Sequence, residues 1–235
     1  MTLMQPVIRS GRIHFFAASD ITCYVLRGRD GDLLIDTGMP QTWKPMQQWL
    51  WNYNIRWVFL THAHADHDWN AAKMQQNGAK ILLSVLDKEL RRNFLRQRVM
   101  PTSKQYALRN VMQCVSGGIF KSPPYDADIY FGNEDSGLLR MLGFDAEIIP
   151  LPGHTYGSCG ILSKGVLYCG DAFTMIFGKP EIPPHAVSPQ LMQNSLRVIE
   201  SLHPDWLACG HGLPVRYDRA AQAIADALTI RYDYR

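Results

Sequence analysis

The chain offers little sulfur chemistry. Its five cysteines, Cys23, Cys114, Cys159, Cys169 and Cys209, are odd in number and include no CxxC pair or other short paired spacing. That pattern argues against a disulfide framework and fits a reducing compartment. Long apolar runs are missing as well. None approaches the length of a membrane span, and Pro6 and Arg9 interrupt the opening stretch where a signal peptide needs an unbroken apolar core. The expectation is a cytoplasmic protein with no membrane partner. Charge of one sign is also lacking: a net +3 over 235 residues gives no electrostatic ground for a nucleic-acid partner. Internal repeats and low-complexity tracts are absent too. What remains, 46% hydrophobic and 19% charged residues, is ordinary for a globular protein long enough to bury a substantial core without staples.

Short apolar runs bounded by turn residues recur along the chain. ITCYVLR (21–27) and DLLID (32–36) flank GRDG and predict a hairpin. WKPMQQWLWNY (43–53) predicts a helix, RWVFLT (56–61) a strand, and WNAAKMQQNG (69–78) a short helix closed by Gly78 before the strand AKILLS. Residues 85–120 change character. VLDKELRRNFLRQRV places Leu86, Leu90, Phe94 and Leu95 on one helical side with four arginines elsewhere, and Pro101 is expected to end that helix. A second helix is expected over 103–115. DIYF, GLLRML, AEIIPL, CGILS and VLYCG then predict strands, followed by a helix at 188–202, the strand DWLACG and a last helix from about 218 to 230. Two sheets with outer helices and one doubly wound sheet both satisfy this pattern. Residues 1–235 are expected to form one domain with a helical insertion at about 85–120.

Histidines are the feature that does not look ordinary. LTHAHADHDWN (60–70) holds His62, His64 and His67 with Asp66 and Asp68, and crowded imidazoles and carboxylates are costly to desolvate unless a cation lies between them. In extended chain His62 and His64 point to the same side, while Asp66 and His67 fall on the turn into the next helix, so one stretch can serve two ions. Further donors follow apolar strands beside glycine: His154 in IIPLPGHT, Asp171 in VLYCGDAF and His211 in WLACGHG. The expected arrangement puts His62, His64 and His154 on one ion and Asp66, His67 and His211 on the other, with Asp171 bridging. An HxH pair alone is a common surface accident, but five of the eight histidines fall in this set. Nitrogen and oxygen donors without thiolate suit two divalent ions, zinc first, with iron or manganese as alternatives.

THAHADH, PGHT, GDAF and CGHG, in this order, resemble the motifs of the metallo-β-lactamase-fold hydrolases, and LLIDTG resembles that family's early motif, in which the aspartate, here Asp36, supports the metal loop. The resemblance runs from about residue 10 to 215. It implies an αββα sandwich of mixed α/β class with a dinuclear site at one edge. The aspartate at 171 points to the glyoxalase II, lactonase and phosphodiesterase side of the family, and a penicillin-type substrate is not expected. Cys169, two residues away, reads as a small buried apolar residue. The implied chemistry is attack by a metal-bridging hydroxide on a small ester, thioester or lactone, with Asp66 orienting the nucleophile and passing on its proton. A phosphodiesterase or nuclease, and a metal-bound ligand sensor with little turnover, are the competing expectations.

Substrate contacts are harder to read. Lactonases of this fold often have a tyrosine soon after the bridging aspartate, where this chain has GDAFTM; Tyr156 is the substitute candidate. The 24 residues after His211 suffice for one helix, which puts recognition of glutathione by a C-terminal helical domain in doubt. Arg91, Arg92, Arg96, Arg98, Lys104 and Arg109 of the insertion are candidates for meeting an anionic small-molecule substrate. His185 and Lys179, in KPEIPPHAVSP, are further candidates, and Trp69 stands where the family commonly has glycine, followed by Asn70. His14 and His203 read as structural. Nothing in the pattern speaks to oligomeric state.

Overall fold

The structure is a computed structural model in which residues 13–18, 21–91, 93, 97–102 and 121–232 are described. One sheet runs in the order β1 (His14–Ala18), β2 (Ile21–Leu26), β3 (Asp32–Ile35), β4 (Ile55–Phe59), β5 (Lys80–Ser84) and β7 (Ile129–Phe131), with β6 (Met100–Pro101) lying apart. The other runs β15 (Val215–Arg216), β14 (Trp206–Cys209), β10 (Val166–Gly170), β9 (Cys159–Ser163) and β8 (Glu147–Pro150). Two small pairs complete the described strands: β11 (Thr174–Ile176) with β12 (Lys179–Glu181), and β13 (His185–Ala186) with β6.

The central strands are apolar on both faces, as strands covered on both sides must be. Successive residues of β3 go to different cores: Leu33 and Ile35 pack between the sheets, Leu34 packs outward. Ile81, Leu82 and Leu83 alternate in the same way, as do Val166, Leu167, Tyr168 and Cys169 in the second sheet. Three apolar layers therefore separate four layers of structure. The first outer layer holds α1 (Trp43–Leu50), which buries Met46, Trp49 and Leu50, and α3 (Ala71–Gln76). On the far side the helix Pro189–Leu202 buries Met192, Ser195, Leu196 and Ile199, the i, i+3, i+4, i+7 stripe of an amphipathic helix. Ser188 caps it by accepting from the Leu191 N–H at 3.2 Å, and the helix Tyr217–Thr229 packs alongside. The fold is the αββα sandwich.

Two expectations fail on ambiguous apolar runs. GLLRML is a short helix, Leu138–Met141, starting at Gly137 and closed by Gly143 at a φ of 91°, not a strand. A six-residue apolar run is compatible with either state, and here glycines at both ends set a single turn of helix. The helix expected through 85–99 is not seen at either end of that stretch, and residues 92 and 94–96 within it lie outside the described residues. Val85–Asp87 is a 3-10 turn, 97–99 are non-helical, and Pro101 pairs with His185 instead of ending a helix. The second expected helix, at 103–115, lies outside the described residues. No helix among the described residues is long and apolar enough to cross a membrane.

Strand direction places the site. β3, β4, β5 and β7 run parallel, as do β10 and β14, so their carboxyl ends share one edge, where open α/β sheets typically bind ligands. The sheets are stitched together there. The Cys159 N–H donates to the Thr61 carbonyl at 3.0 Å, the Thr22 N–H to the Gly210 carbonyl at 2.8 Å, and the Tyr24 hydroxyl to the Cys209 carbonyl at 2.6 Å.

Candidate metal centre

Asp36 leaves β3 with φ at 59°, a left-handed conformation that costs a non-glycine residue on the order of 1–3 kcal/mol and persists only where its surroundings demand it. The demand is visible. Its buried carboxylate accepts from the Thr61 N–H at 2.8 Å and the Thr61 hydroxyl at 2.9 Å, and meets His67 Nδ1 at 2.9 Å. With Nδ1 anchored, His67 turns Nε2 inward, the usual device for orienting a ligand imidazole. His62 is anchored similarly, its Nδ1 3.1 Å from the Thr61 hydroxyl. His154 donates from Nδ1 to the His185 carbonyl at 3.1 Å, which leaves its Nε2 facing His64 Nδ1 at 2.9 Å.

Around these rings the side chains from both sheets close in. Asp171 lies between the two halves, with Oδ2 3.5 Å from His154 Nε2 and 3.2 Å from His211 Nε2, and Oδ1 3.5 Å from His67 Nε2. Asp66 Oδ2 lies 3.4 Å from His211 Nε2. Donor atoms of His62, His64 and His154 fall within 4.8 Å of one another, as do those of His62, His67 and Asp171, and those of Asp66, His67 and His211. The geometry thus brings all seven expected ligands together, Asp171 standing between the two triads.

The electrostatics fit a cation. Burial alone would lower the His67 pKa, but the carboxylates of Asp171, Asp36 and Asp66 outweigh it and raise it to about 9. Burial is likewise outweighed at His211, which Asp171 and Asp66 push well above 6.5, and at Asp171, which His211 and His67 hold well below the usual carboxylate range. Burial and the neighbouring imidazoles keep His62 and His64 well below 6.5. His62 Nε2, His67 Nε2 and Asp171 Oδ1 are buried with no hydrogen-bond partner, each an expense of roughly 1–3 kcal/mol that a bound cation removes. Gly210 completes the cradle: a Cβ there would come within 2.5 Å of both Asp171 Oδ1 and His67 Cε1. The residues present fit divalent metal.

Residues 18–211 match the profile of the metallo-beta-lactamase superfamily. The chain belongs to that superfamily. Hydroxyacylglutathione hydrolase GloC of Haemophilus influenzae is 27% identical to it over 133 residues, 55% of this chain and 56% of that protein, so the match spans about half of the relative's length. Among solved structures, the archaeal metallo-beta-lactamase superfamily protein ST1585 of Sulfolobus tokodaii superposes with a TM-score of 0.67 at 20% identity, over 94% of this chain and 89% of its own. TTHA1623, solved in a di-iron-bound form, gives 0.63 at 21% identity over 90% and 97%.

In this superfamily member a cavity opens over the centre. His64, Asp66, His154, Asp171 and His211 line its floor, and Met175, Ile176, Phe177, Pro183, Pro184 and His185 line its wall. His185 is therefore at the cavity, and burial, then His154, lower its pKa to about 3. Trp69, Tyr156 and Lys179 are not among the lining residues: Trp69 is half-buried at the end of α2 (Ala65–Asp68), while Tyr156 and Lys179 are exposed. Asn70 is structural, its amide donating to the carbonyls of Thr37 and Met39 at 2.8 Å each. Arg91 is engaged away from the cavity, paired with Asp126 at 2.9 Å and stacked over Tyr125. Arg98 is exposed, and Arg92, Arg96, Lys104 and Arg109 lie outside the described residues. Cys169 is buried in the outer core with Sγ 3.7 Å from Cys209 Sγ.

Two features escaped the sequence. The hairpin β11–β12, tipped by Phe177 and Gly178, lines the cavity with the His/Asp cluster, held by the Met175 N–H donating to the His211 carbonyl at 2.9 Å. Its signal, two three-residue strands around FG, is easily lost in a proline-rich loop. The other is Asp68, buried next after His67 in the chain, whose carboxylate accepts from the Ser122 hydroxyl and, at 2.8 Å, from the Tyr125 hydroxyl. Only the long-range contact distinguishes it from the other acidic residues of the loop.

Proposed function

We propose that the protein is a dinuclear metal-dependent hydrolase of a small ester, thioester or lactone. The observation that carries this is that His62 Nε2, His67 Nε2 and Asp171 Oδ1 are buried and unpartnered within one cluster of ligand-type donors, whose members His64, Asp66, His154, Asp171 and His211 line an open cavity. His62, His64 and His154 would hold one ion and Asp66, His67 and His211 the other, with Asp171 shared. Zinc is the expected metal for this donor set, and iron, which the neighbour TTHA1623 holds, is the alternative. When bound, such a pair supplies Lewis acidity toward the substrate carbonyl and makes water acidic enough to attack it at neutral pH.

The chain's own groups do the rest. Asp36 and Thr61 hold His67 and His62 in their orientations. Asp66, on the cavity floor with its side chain 27% exposed, is placed to orient the attacking water and pass its proton to solvent. His185 and the apolar wall of Ile176, Phe177, Pro183 and Pro184 exclude water from the non-reacting part of a substrate. The relation to hydroxyacylglutathione hydrolase GloC supports thioesters within this class.

A hydrolysis panel tests the reading: S-lactoylglutathione, acyl thioesters, acyl-homoserine lactones, aryl esters and bis-p-nitrophenyl phosphate, with zinc- and iron-loaded protein. Turnover of a carboxylic substrate well above the phosphodiester is expected. Rapid turnover of the phosphodiester alone would make the protein a phosphodiesterase, and tight binding without turnover would make it a sensor.

A further inference from the structure

Asp87 closes the 3-10 turn after β5, and in sequence it looks like any acidic residue of a polar run. In the fold it is fully buried. Donors from three separate segments surround its carboxylate. Oδ2 accepts from the Ala63 N–H at 3.1 Å, between His62 and His64, and from the Thr155 hydroxyl at 2.8 Å, beside His154. Oδ1 accepts from the Gly157 N–H at 2.9 Å and from the Gln97 amide at 3.0 Å. A carboxylate has about four acceptor positions, so all are used.

The Gln97 arm leads to the cavity wall. Its Oε1 accepts from the Tyr156 N–H at 3.0 Å, and a few residues on, β6 pairs with β13 while the Thr102 hydroxyl donates to the Pro183 carbonyl at 2.6 Å. Pro183 and His185 both line the cavity. An independent mark of this contact is Gly157, where a Cβ would come within 2.6 Å of Asp87 Cγ and 2.7 Å of Oδ1. Any larger residue there would push the carboxylate off its donors. Burial raises the Asp87 pKa, and the hydrogen bonds from Thr155, Gln97, Ala63 and Gly157 oppose that rise.

We propose that Asp87 is a positioning residue of the metal centre: it holds the His62–His64 loop against the His154 loop and, through Gln97, ties the cavity wall to both. The inference rests on the reading of the centre as a two-ion site. Because Asp87 touches the loops of His62, His64 and His154 and none of the residues beside Asp66, His67 or His211, its effect falls on one ion. A merely structural residue would weaken both alike.

The test is zinc titration against a chromophoric chelator, with the melting temperature of the EDTA-treated protein as control. Asp87→Asn presents an N–H to at least one former donor. It should weaken one of the two ions by roughly 10- to 100-fold, the range for an outer partner of a metal ligand, and leave the other unchanged. Gly157→Ala keeps the carboxylate but displaces it, and should reproduce the selective loss; it decides the matter alone if Asp87→Asn does not fold. Gln97→Leu should keep both ions and raise KM with little change in kcat. Wild-type protein that binds no zinc would overturn the two-ion reading itself. Wild-type protein that binds two ions, with both variants titrating like the wild type or losing both ions together, would overturn the role of Asp87 and leave that reading standing.

Discussion

Asp171 and Asp36 are both buried carboxylates beside His67, yet they stand on opposite sides of it. Asp171 faces His67 Nε2 at 3.5 Å together with His154 and His211, while Asp36 meets Nδ1 at 2.9 Å from behind. Their removal should therefore differ in kind. Asp171→Ala should lose metal and reduce kcat by more than the roughly 10- to 100-fold that an outer partner costs, whereas Asp36→Asn should stay within that range and retain both ions at saturating metal. Metal analysis and kinetics on the two variants check this, and near-normal activity of Asp171→Ala would refute its place between the ions. The seven clustered candidate ligands were legible as a group because each follows an apolar strand beside a turn, a local pattern. Asp87 and Asp68 were not, because what distinguishes them from solvated carboxylates is contact with Thr155 and Gly157 or with Ser122 and Tyr125, far along the chain.

Among the elements, those on which several local signals agree match the sequence pattern, and two that rest on apolar character or spacing alone do not. Pro189–Leu202 carries an N-cap, a proline at its first position and a full apolar stripe, so three local signals agree. Leu138–Met141 carries only apolar character, which a strand would share, and its identity is set by flanking glycines. The stretch after β5 reads as helical because its leucines are spaced helically, but among the described residues Val85–Asp87 is a 3-10 turn, with Asp87 held in the interior by Gln97, and β6 pairs with β13. The capped helix gives a clean check on this ranking of forces. Ser188→Ala removes the acceptor for the Leu191 N–H and should cost about 1 kcal/mol, seen as a lower denaturation midpoint with an unchanged m-value. Zinc content should not change.

For the whole molecule, the αββα sandwich buries three apolar layers and leaves its polar cluster at one edge, so pH acts mainly there. In ion-free protein, burial first and neighbouring imidazoles second keep His62 and His64 well below 6.5. The folded state then binds fewer protons than the unfolded chain as pH falls through 6.5, and stability is lost in acid. His67 works the other way. With its pKa raised to about 9, its contribution is complete below 6.5 and is lost as pH climbs from there to about 9. EDTA-treated protein should thus melt highest near about pH 6.5 and lower on both sides. Zinc affinity should rise through the same alkaline window, since the ligand imidazoles must shed their protons to bind. A melting temperature of the ion-free protein that climbs steadily from neutral pH to pH 9 would contradict this balance.

The centre itself is tested most directly by elemental analysis of protein purified without chelator and dialysed against metal-free buffer. About two divalent ions per chain are expected, zinc first, held by the two histidine- and aspartate-bearing triads. Fewer than one ion per chain, with no uptake on adding zinc, iron or manganese, would contradict the account.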